Sequence, residues 1–423
     1  MAEYADPGRP HWSVRPIESD EFTDFARVCG TALLATRDPA DEGFRRPVTE
    51  LGRTLAAFDG DLMVGTTVVH PFTMTLPGGP RPVAGVSAVG VWPTHRRRGV
   101  LTALMRRQLA DVHAAGESVA ALFASEGAIY GRFGYGPASR AISATLPARE
   151  AALRPDVPRD PSLSLRLGTL PEMRKEMERV HGLAAARRVG EFQRSGAWWD
   201  LLLRDEPGGR EGYGAKMCVV AEGPSGPLGY AVHRARPGWD DFEMPTGRMQ
   251  VTQFFAVTPA AEALLWEHLL GRDLIRDLEV PMLPEDTPLF HLLTDRNHMR
   301  ATVGEPLWIR LVDLPRAMEE RSYAAPVDTV LEVADRDCPW NAGRWRLHAD
   351  GAGAASFTRV EGGAGTEPDL VVDVARLGAA YLGSTRLASY VAAGMAEERT
   401  PGAAARLDVA LTIDHEPCCS VIF

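Results

Sequence analysis

The chain has almost no lysine. Of its 46 basic Lys and Arg residues, all but Lys175 and Lys216 are arginine. That skew reads as the codon bias of a GC-rich genome more than as function. A basic surplus is also missing: 56 acidic residues outnumber the basic ones, the formal net charge is -10 and the pI is about 5.6. Nucleic acid demands a clustered basic face, so no nucleic-acid partner is expected. Cationic small molecules or basic peptides fit the sign better. No apolar run is long enough to cross a bilayer, so no membrane span is expected. The opening "MAEYADPGRPHW" has no apolar core of a signal peptide. Cysteines number five, and their spacing matches neither a metal site nor a disulfide framework. Cys418-Cys419 is a vicinal pair, a poor ligand arrangement, so no metal is expected. A reducing cytoplasm is the simplest setting.

What is present divides into three units. The first, 1–150, runs from strand "HWSVRPI" to a helix pattern at 19–36 that opens on Ser19 and two acids. A hairpin pattern follows at 53–76 around Asp59-Gly60-Asp61. Then come a strand at 81–91, a helix at 97–115, a buried strand at 118–124, a short helical turn, and a last strand in "YGPASRAISATL". The second unit, 151–303, repeats this order: a strand, helical stretches at 171–188 and 196–204, a hairpin at 216–235, then strand, Pro turn and helix over 248–271. The third, 304–423, holds strands "PLWIRLVDL" and "DTVLEV", a hairpin at 344–360, and a pair of small-residue helices at 377–394.

The chemistry concentrates in "PTHRRRGVLTALMRRQL" at 93–109. A helix N-terminus carries unpaired N–H groups and a partial positive charge. Following a strand through a glycine turn, those groups can converge on phosphate oxygens. Gly99 permits close backbone approach, and arginines add forked donors. A solvated helix start would use the same residues. The matching segment of the second unit reads Ala260-Ala261-Glu262, with neither arginines nor glycine, so phosphate binding should be absent there.

The spacing Arg96-x-x-Gly99 is similar to the signature of Gcn5-related N-acetyltransferases, except that Leu101 stands at its third position. "VSAVGVWPTHRRRGVLTALM" with "ASEGAIYGRFGYGPAS" closely resembles the enhanced intracellular survival (Eis) family. The resemblance continues through "PLFHLLTDR", "LWIRLVDLPRAMEERSY" and "AAYLGSTRLASYVAAG". It implies an α/β (α+β) architecture: tandem acetyltransferase folds, the second degenerate, and a C-terminal sterol-carrier-like domain that supplies the C-terminal carboxylate. It also implies a homohexamer, acetyl-CoA as cosubstrate, and cofactor contacts at Val89, Gly90, Val91, Arg97, Arg98, Gly99, Val100, Leu101, Thr102, Ser125 and Glu126. Tyr130 is the implied general acid for the leaving thiolate. A thiol pKa of about 8.5 and a phenol pKa of about 10 make that transfer feasible. The implied general base is the C-terminal carboxylate of Phe423.

Two positions depart from the family. Ile422 stands where an acid is expected, and Ala88 where an aromatic is expected. The bulky Trp92 has no account from sequence. His95 reads as a turn residue that could touch phosphate, Trp198-Trp199 as packing, and Asp240-Asp241 as a solvated loop. The helices at 377–394 either hold the terminus or line a lipid tunnel. Three functions follow: acetylation of a cationic acceptor such as an aminoglycoside or polyamine, acetylation of protein lysines, or a non-catalytic acyl-CoA- or lipid-binding scaffold.

Overall fold

A computed structural model describes residues 12–35, 42–363 and 365–423. The N-terminal stretch 1–11 lies outside them. The first of three sheets has seven strands, ordered Ser13–Arg15, Thr54–Asp59, Leu62–Leu76, Gly79–Val91, Val119–Phe123, Leu307–Leu311, Gly136–Pro137. The hairpin turn at Gly60 has φ +60°, as a tight Asp-Gly turn requires. Helix Val100–Ala114 packs across the sheet because Gly65 leaves room: a Cβ there would come 2.6 Å from Val100 Cγ1.

One pairing positions the site. Gly79–Val91 runs parallel to Val119–Phe123, with Ala84 opposite Ala120 and Val86 opposite Leu122, and the pairing stops there. Just beyond, a β-bulge breaks the register with the other neighbour, between Thr66 opposite Gly90 and Val68 opposite Ser87. Ala88 sits in that bulge with φ +51°, a strained value for a side chain with a Cβ. Thr66 Oγ1 braces it by donating to the Ala88 carbonyl at 2.8 Å. The two parallel strands therefore splay past Val86 and leave a gap beside Ser87–Val91.

The second sheet also has seven strands, ordered 300–304, 141–147, 275–284, 247–256, 226–236, 217–223, 164–169. Helix Pro259–Leu270 follows its central strand, capped by the Thr258 hydroxyl, which accepts from Ala261 N–H. The third sheet has five strands, 355–359, 343–349, 327–334, 370–373 and 397–398, covered by helices Val374–Tyr381, Leu387–Ala392 and Ala403–Leu411.

Two strands cross between the units as read from sequence. "YGPASRAISATL" splits: Gly136–Pro137 closes the first sheet, and Ala141–Pro147 pairs in the second. Leu307–Leu311 inserts into the first sheet, antiparallel to Val119–Phe123. Burial follows the exchange. Ile309 and Phe72 of the first sheet share one apolar core with Leu377 and Tyr381 of the third unit. The buried side chains of Arg310 and Asp335 pair at 2.8 Å across the same junction. The Ser19 region forms a short 3-10 turn capped by Glu18, with Glu21 completing the capping box, and the helix proper is Phe22–Ala32. All five cysteines are buried thiols. Among the described residues no helix is long and apolar enough to cross a membrane.

Candidate active site

Two cavities meet the central strand Gly79–Val91 where it splays. The first is about 440 Å³ and opens at the mouth of helix Val100–Ala114. The arginines precede this helix rather than lead it. Arg97 and Gly99 both have left-handed backbone, φ +62° and +89°. Gly99 is the N-cap, so the N–H groups of Val100, Leu101 and Thr102 are left without partners inside the helix. A Cβ on Gly99 would meet nothing closer than Trp12 Nε1 at 3.8 Å, so glycine is required by the backbone angle rather than by crowding.

Val89, Gly90, Val91, Arg97, Gly99, Val100, Leu101, Thr102, Ser125, Glu126 and Tyr130 all line this cavity. Arg98 does not. Lying between two left-handed residues, it faces the other way, with its guanidinium 5.2 Å from the Trp12 ring centre and 4.0 Å from Asp59. Arg96, whose Nη2 donates to the Ala32 carbonyl, and Arg132 take part in the lining instead. His95 is buried at the turn, 3.1 Å from Asp59, and also reaches the cavity. Trp92 is accounted for by its packing: it lies between two apolar clusters and under the Arg27 guanidinium at 5.3 Å.

Tyr130 ends the short helix Gly127–Tyr130 and is buried. Burial, with Cys29 and Glu126 nearby, pushes its phenol up to about 12. Its hydroxyl has no hydrogen-bond partner among the described residues.

The second cavity, about 340 Å³, is lined by Ser87 and Ala88, the two strand residues just before those of the first. Phe423 reaches it from the far end of the chain. Its ring packs against Phe72 at 4.7 Å and Phe123 at 5.2 Å. The second unit holds the approach. Cys418 N–H donates to the Val189 carbonyl at 2.9 Å. Ser420 N–H donates to Glu191 at 3.0 Å, and Arg194 donates to the Ser420 hydroxyl at 2.8 Å. Glu191 is fully buried. Burial pushes its carboxyl up, but His181, Arg194 and Ser420 outweigh that and hold it below the usual range.

Sequence reading missed this cavity's other walls. Phe22 and Phe25 come from the first helix, Trp198, Leu201 and Leu202 from helix Gly196–Leu203, and Arg45, Arg204 and Lys216 from three further segments. Trp198, read as packing, both packs and lines. His70 was not singled out, and an isolated histidine in a strand gives no signal. Its ring lies 5.1 Å from Trp198 and its Nδ1 is 2.9 Å from the Val48 carbonyl.

A splayed parallel pair, with a glycine-capped helix mouth beside the gap, defines a GNAT acetyltransferase. Models described as an acetyltransferase (GNAT) domain match residues 13–138 and again 190–311, and a sterol carrier protein domain matches 314–420. An N-acetyltransferase of Streptomyces coelicolor is 41% identical over 95% of this chain and 97% of its own. N-acetyltransferase Eis of Mycobacterium tuberculosis is 36% identical over 94% of this chain and 93% of its own. The crystal structure of Eis1 from Mycobacterium abscessus superimposes with a TM-score of 0.81 at 31% identity, covering 97% of this chain and all of that one. The chain belongs to the Eis family of N-acetyltransferases. A non-catalytic scaffold is thereby set aside.

Proposed function

We propose that this enzyme moves the acetyl group of acetyl-CoA directly to a primary amine bound in the second cavity. The observation that carries the reading is that the two cavities are lined by consecutive residues of one splayed strand, Ser87 and Ala88 in one and Val89, Gly90 and Val91 in the other. The residues fit the cosubstrate: unpaired N–H groups at 100–102, a left-handed glycine, and Arg96, Arg97 and Arg132 all face one concave space suited to a pyrophosphate. Arg98 supports it less directly, by stacking on Trp12 and so bracing the turn. Val89, Gly90 and Val91 lie past the last residue paired to Val119–Phe123, so that edge of the strand is offered to an extended pantetheine arm, with Ser125 and Glu126 lining the same space.

Bound acetyl-CoA supplies an activated thioester. Tyr130 donates the proton that the departing sulfur needs, and a phenol pushed up to about 12 stays protonated throughout the working range. The terminal carboxylate at Phe423 takes a proton from the amine. Packing of the Phe423 ring against aromatics and the Glu191–Ser420 tether support that role. Segments 1–150, 151–303 and 304–423 serve as catalytic unit, degenerate partner and holder of the terminus. The family likeness supports a homohexamer and a cytoplasmic setting.

The sequence points to a polycationic acceptor, an aminoglycoside or polyamine, and the overall acidity draws such molecules in. A protein lysine is the second reading, and the openness of the cavity beside the surface-exposed Ile422 favours it. Initial-rate kinetics with both substrates varied test the reaction. Direct transfer gives intersecting double-reciprocal lines, whereas parallel lines and an acetylated enzyme would refute it.

A further inference from the structure

The second unit repeats the splay of the first. Strand Gly247–Ala256 runs parallel to Ile275–Pro284, and their pairing ends at Gln250 opposite Glu279. Here the chain itself bridges the gap. Arg188 donates to Asp286, just past one strand, at 2.9 Å and to the Glu416 carbonyl at 2.9 Å. Glu416 N–H donates to Asp286 at 3.1 Å. Glu262, in the first turn of helix Pro259–Leu270, feels the charges of both Arg188 and Asp286. On the other strand, Gln253 accepts from Arg194 at 2.9 Å and from the Tyr230 hydroxyl at 3.0 Å. Segments 188–194 and 416–420 therefore span the two diverging strands.

Segment 188–194 also has an edge on the first sheet. Gly190 N–H donates to the Thr75 carbonyl, Thr75 N–H to the Glu191 carbonyl and Gln193 N–H to the Thr73 carbonyl, at 2.8 to 2.9 Å. These bonds lay it along strand Leu62–Leu76, which pairs with the splayed strand Gly79–Val91. Gly190 lets the tail come close to it. Its φ is +91°, and a Cβ there would stand 3.1 Å from the Cys418 carbonyl oxygen. Glu191 and Arg194 fix the tail along this ruler. Their side chains are 2% and 0% exposed, so water does not compete for their bonds. The Arg194 guanidinium is held by Gln253 and by the rings of Trp199 and Phe255, at 4.8 and 5.6 Å, with Nη2 aimed at the Ser420 hydroxyl. From Ser420 the chain reaches its terminal carboxylate within about 10 Å.

We propose that Glu191 and Arg194 are positioning residues for acetyl transfer, acting through Ser420 to set where the Phe423 carboxylate stands against the splayed strand. The inference rests on the reading of that carboxylate as the base, and it gives the second unit's gap a use other than cosubstrate binding. The test is a mutant cycle with acetyl-CoA saturating and kanamycin and spermidine as the amines. Arg194→Gln cannot reach both Gln253 and Ser420. It should lower kcat by about 100-fold, roughly what an ångström of misplacement costs. Ser420→Ala leaves the buried Glu191 and Arg194 in place, so it serves where Arg194→Gln folds poorly. It should lower kcat by about tenfold, for one lost charge-assisted hydrogen bond. The KM for acetyl-CoA should not change in either. With Phe423 deleted, neither substitution should cost anything further, because the group they aim is gone; a merely structural role would multiply the losses. Carboxypeptidase A should release Phe423 faster from both variants than from the parent. Unchanged kcat in the folded variants, or multiplied losses without Phe423, would overturn this inference and leave the terminal base standing. Equal carboxypeptidase release would also overturn it, and decides alone if neither amine is acetylated. Full turnover without Phe423 would remove the base reading and this inference with it.

Discussion

Gly99 separates the electrostatic part of the cradle from the conformational part. Its φ of +89° is one that asparagine tolerates better than most residues, and the nearest atom to an added Cβ is 3.8 Å away. Gly99→Asn should therefore fold, at a cost of about 1 kcal/mol in backbone strain. Gly99→Asp has nearly the same shape and adds one negative charge at the helix mouth. At a separation of about 6 Å from a phosphate and an effective dielectric of about 20, the repulsion is about 3 kcal/mol, roughly a hundredfold in affinity. The site is open to solvent, so salt should narrow the gap as the screening length falls to about 3 Å at 1 M. Calorimetry with acetyl-CoA at low and high salt reads this directly. Asp should bind about 100-fold more weakly than Asn in dilute buffer, and the difference should shrink with salt. Equal affinities for the two variants would refute the phosphate assignment.

Tyr130→Phe should lower kcat by about 10²–10⁴-fold while acetyl-CoA affinity changes little, measured by steady-state kinetics and calorimetry. A tag of several residues appended after Phe423 should reduce turnover far more than cosubstrate binding; a fully active, well-folded tagged enzyme would remove the terminal carboxylate from the chemistry. Residues 151–303 should bind no coenzyme A, because Ala260-Ala261-Glu262 supplies no arginine at the helix start; a titration of the Gly99→Asp protein should find no second site. His70 is held down to about 4 by burial, with its bond to Val48 opposing and Arg45 and Arg53 adding to the effect. The unfolded chain, with an ordinary histidine near 6.5, then binds more protons, so this contribution is present above that pH and is lost as pH falls towards 4. Denaturant melts should show a shallower acid loss for His70→Asn than for the parent.

The cradle was legible because it is local. Strand, glycine and helix lie within 93–109, and the N-cap geometry follows from the residue types. Even so, the left-handed Arg97 and the outward Arg98 depend on alternating backbone angles that composition does not reveal. The exchange of Ala141–Pro147 and Leu307–Leu311 between sheets was not legible, since strand alternation says which face is buried and not which strand is the neighbour. The acceptor cavity was the least legible part. It joins Phe22 to Phe423 through segments that meet only when the three units pack, and His70 is an isolated histidine inside a strand.

The central claim is that acetyl passes from coenzyme A to an amine at the splayed strand. Mass spectrometry of reactions with a panel of primary amines, aminoglycosides and polyamines among them, run alongside thiol release, tests it most directly. The account predicts one N-acetylated amine for each thiol freed, with both falling together in Tyr130→Phe. Thiol release without acetylated amine, or an enzyme that binds acetyl-CoA and acetylates no amine, would contradict it.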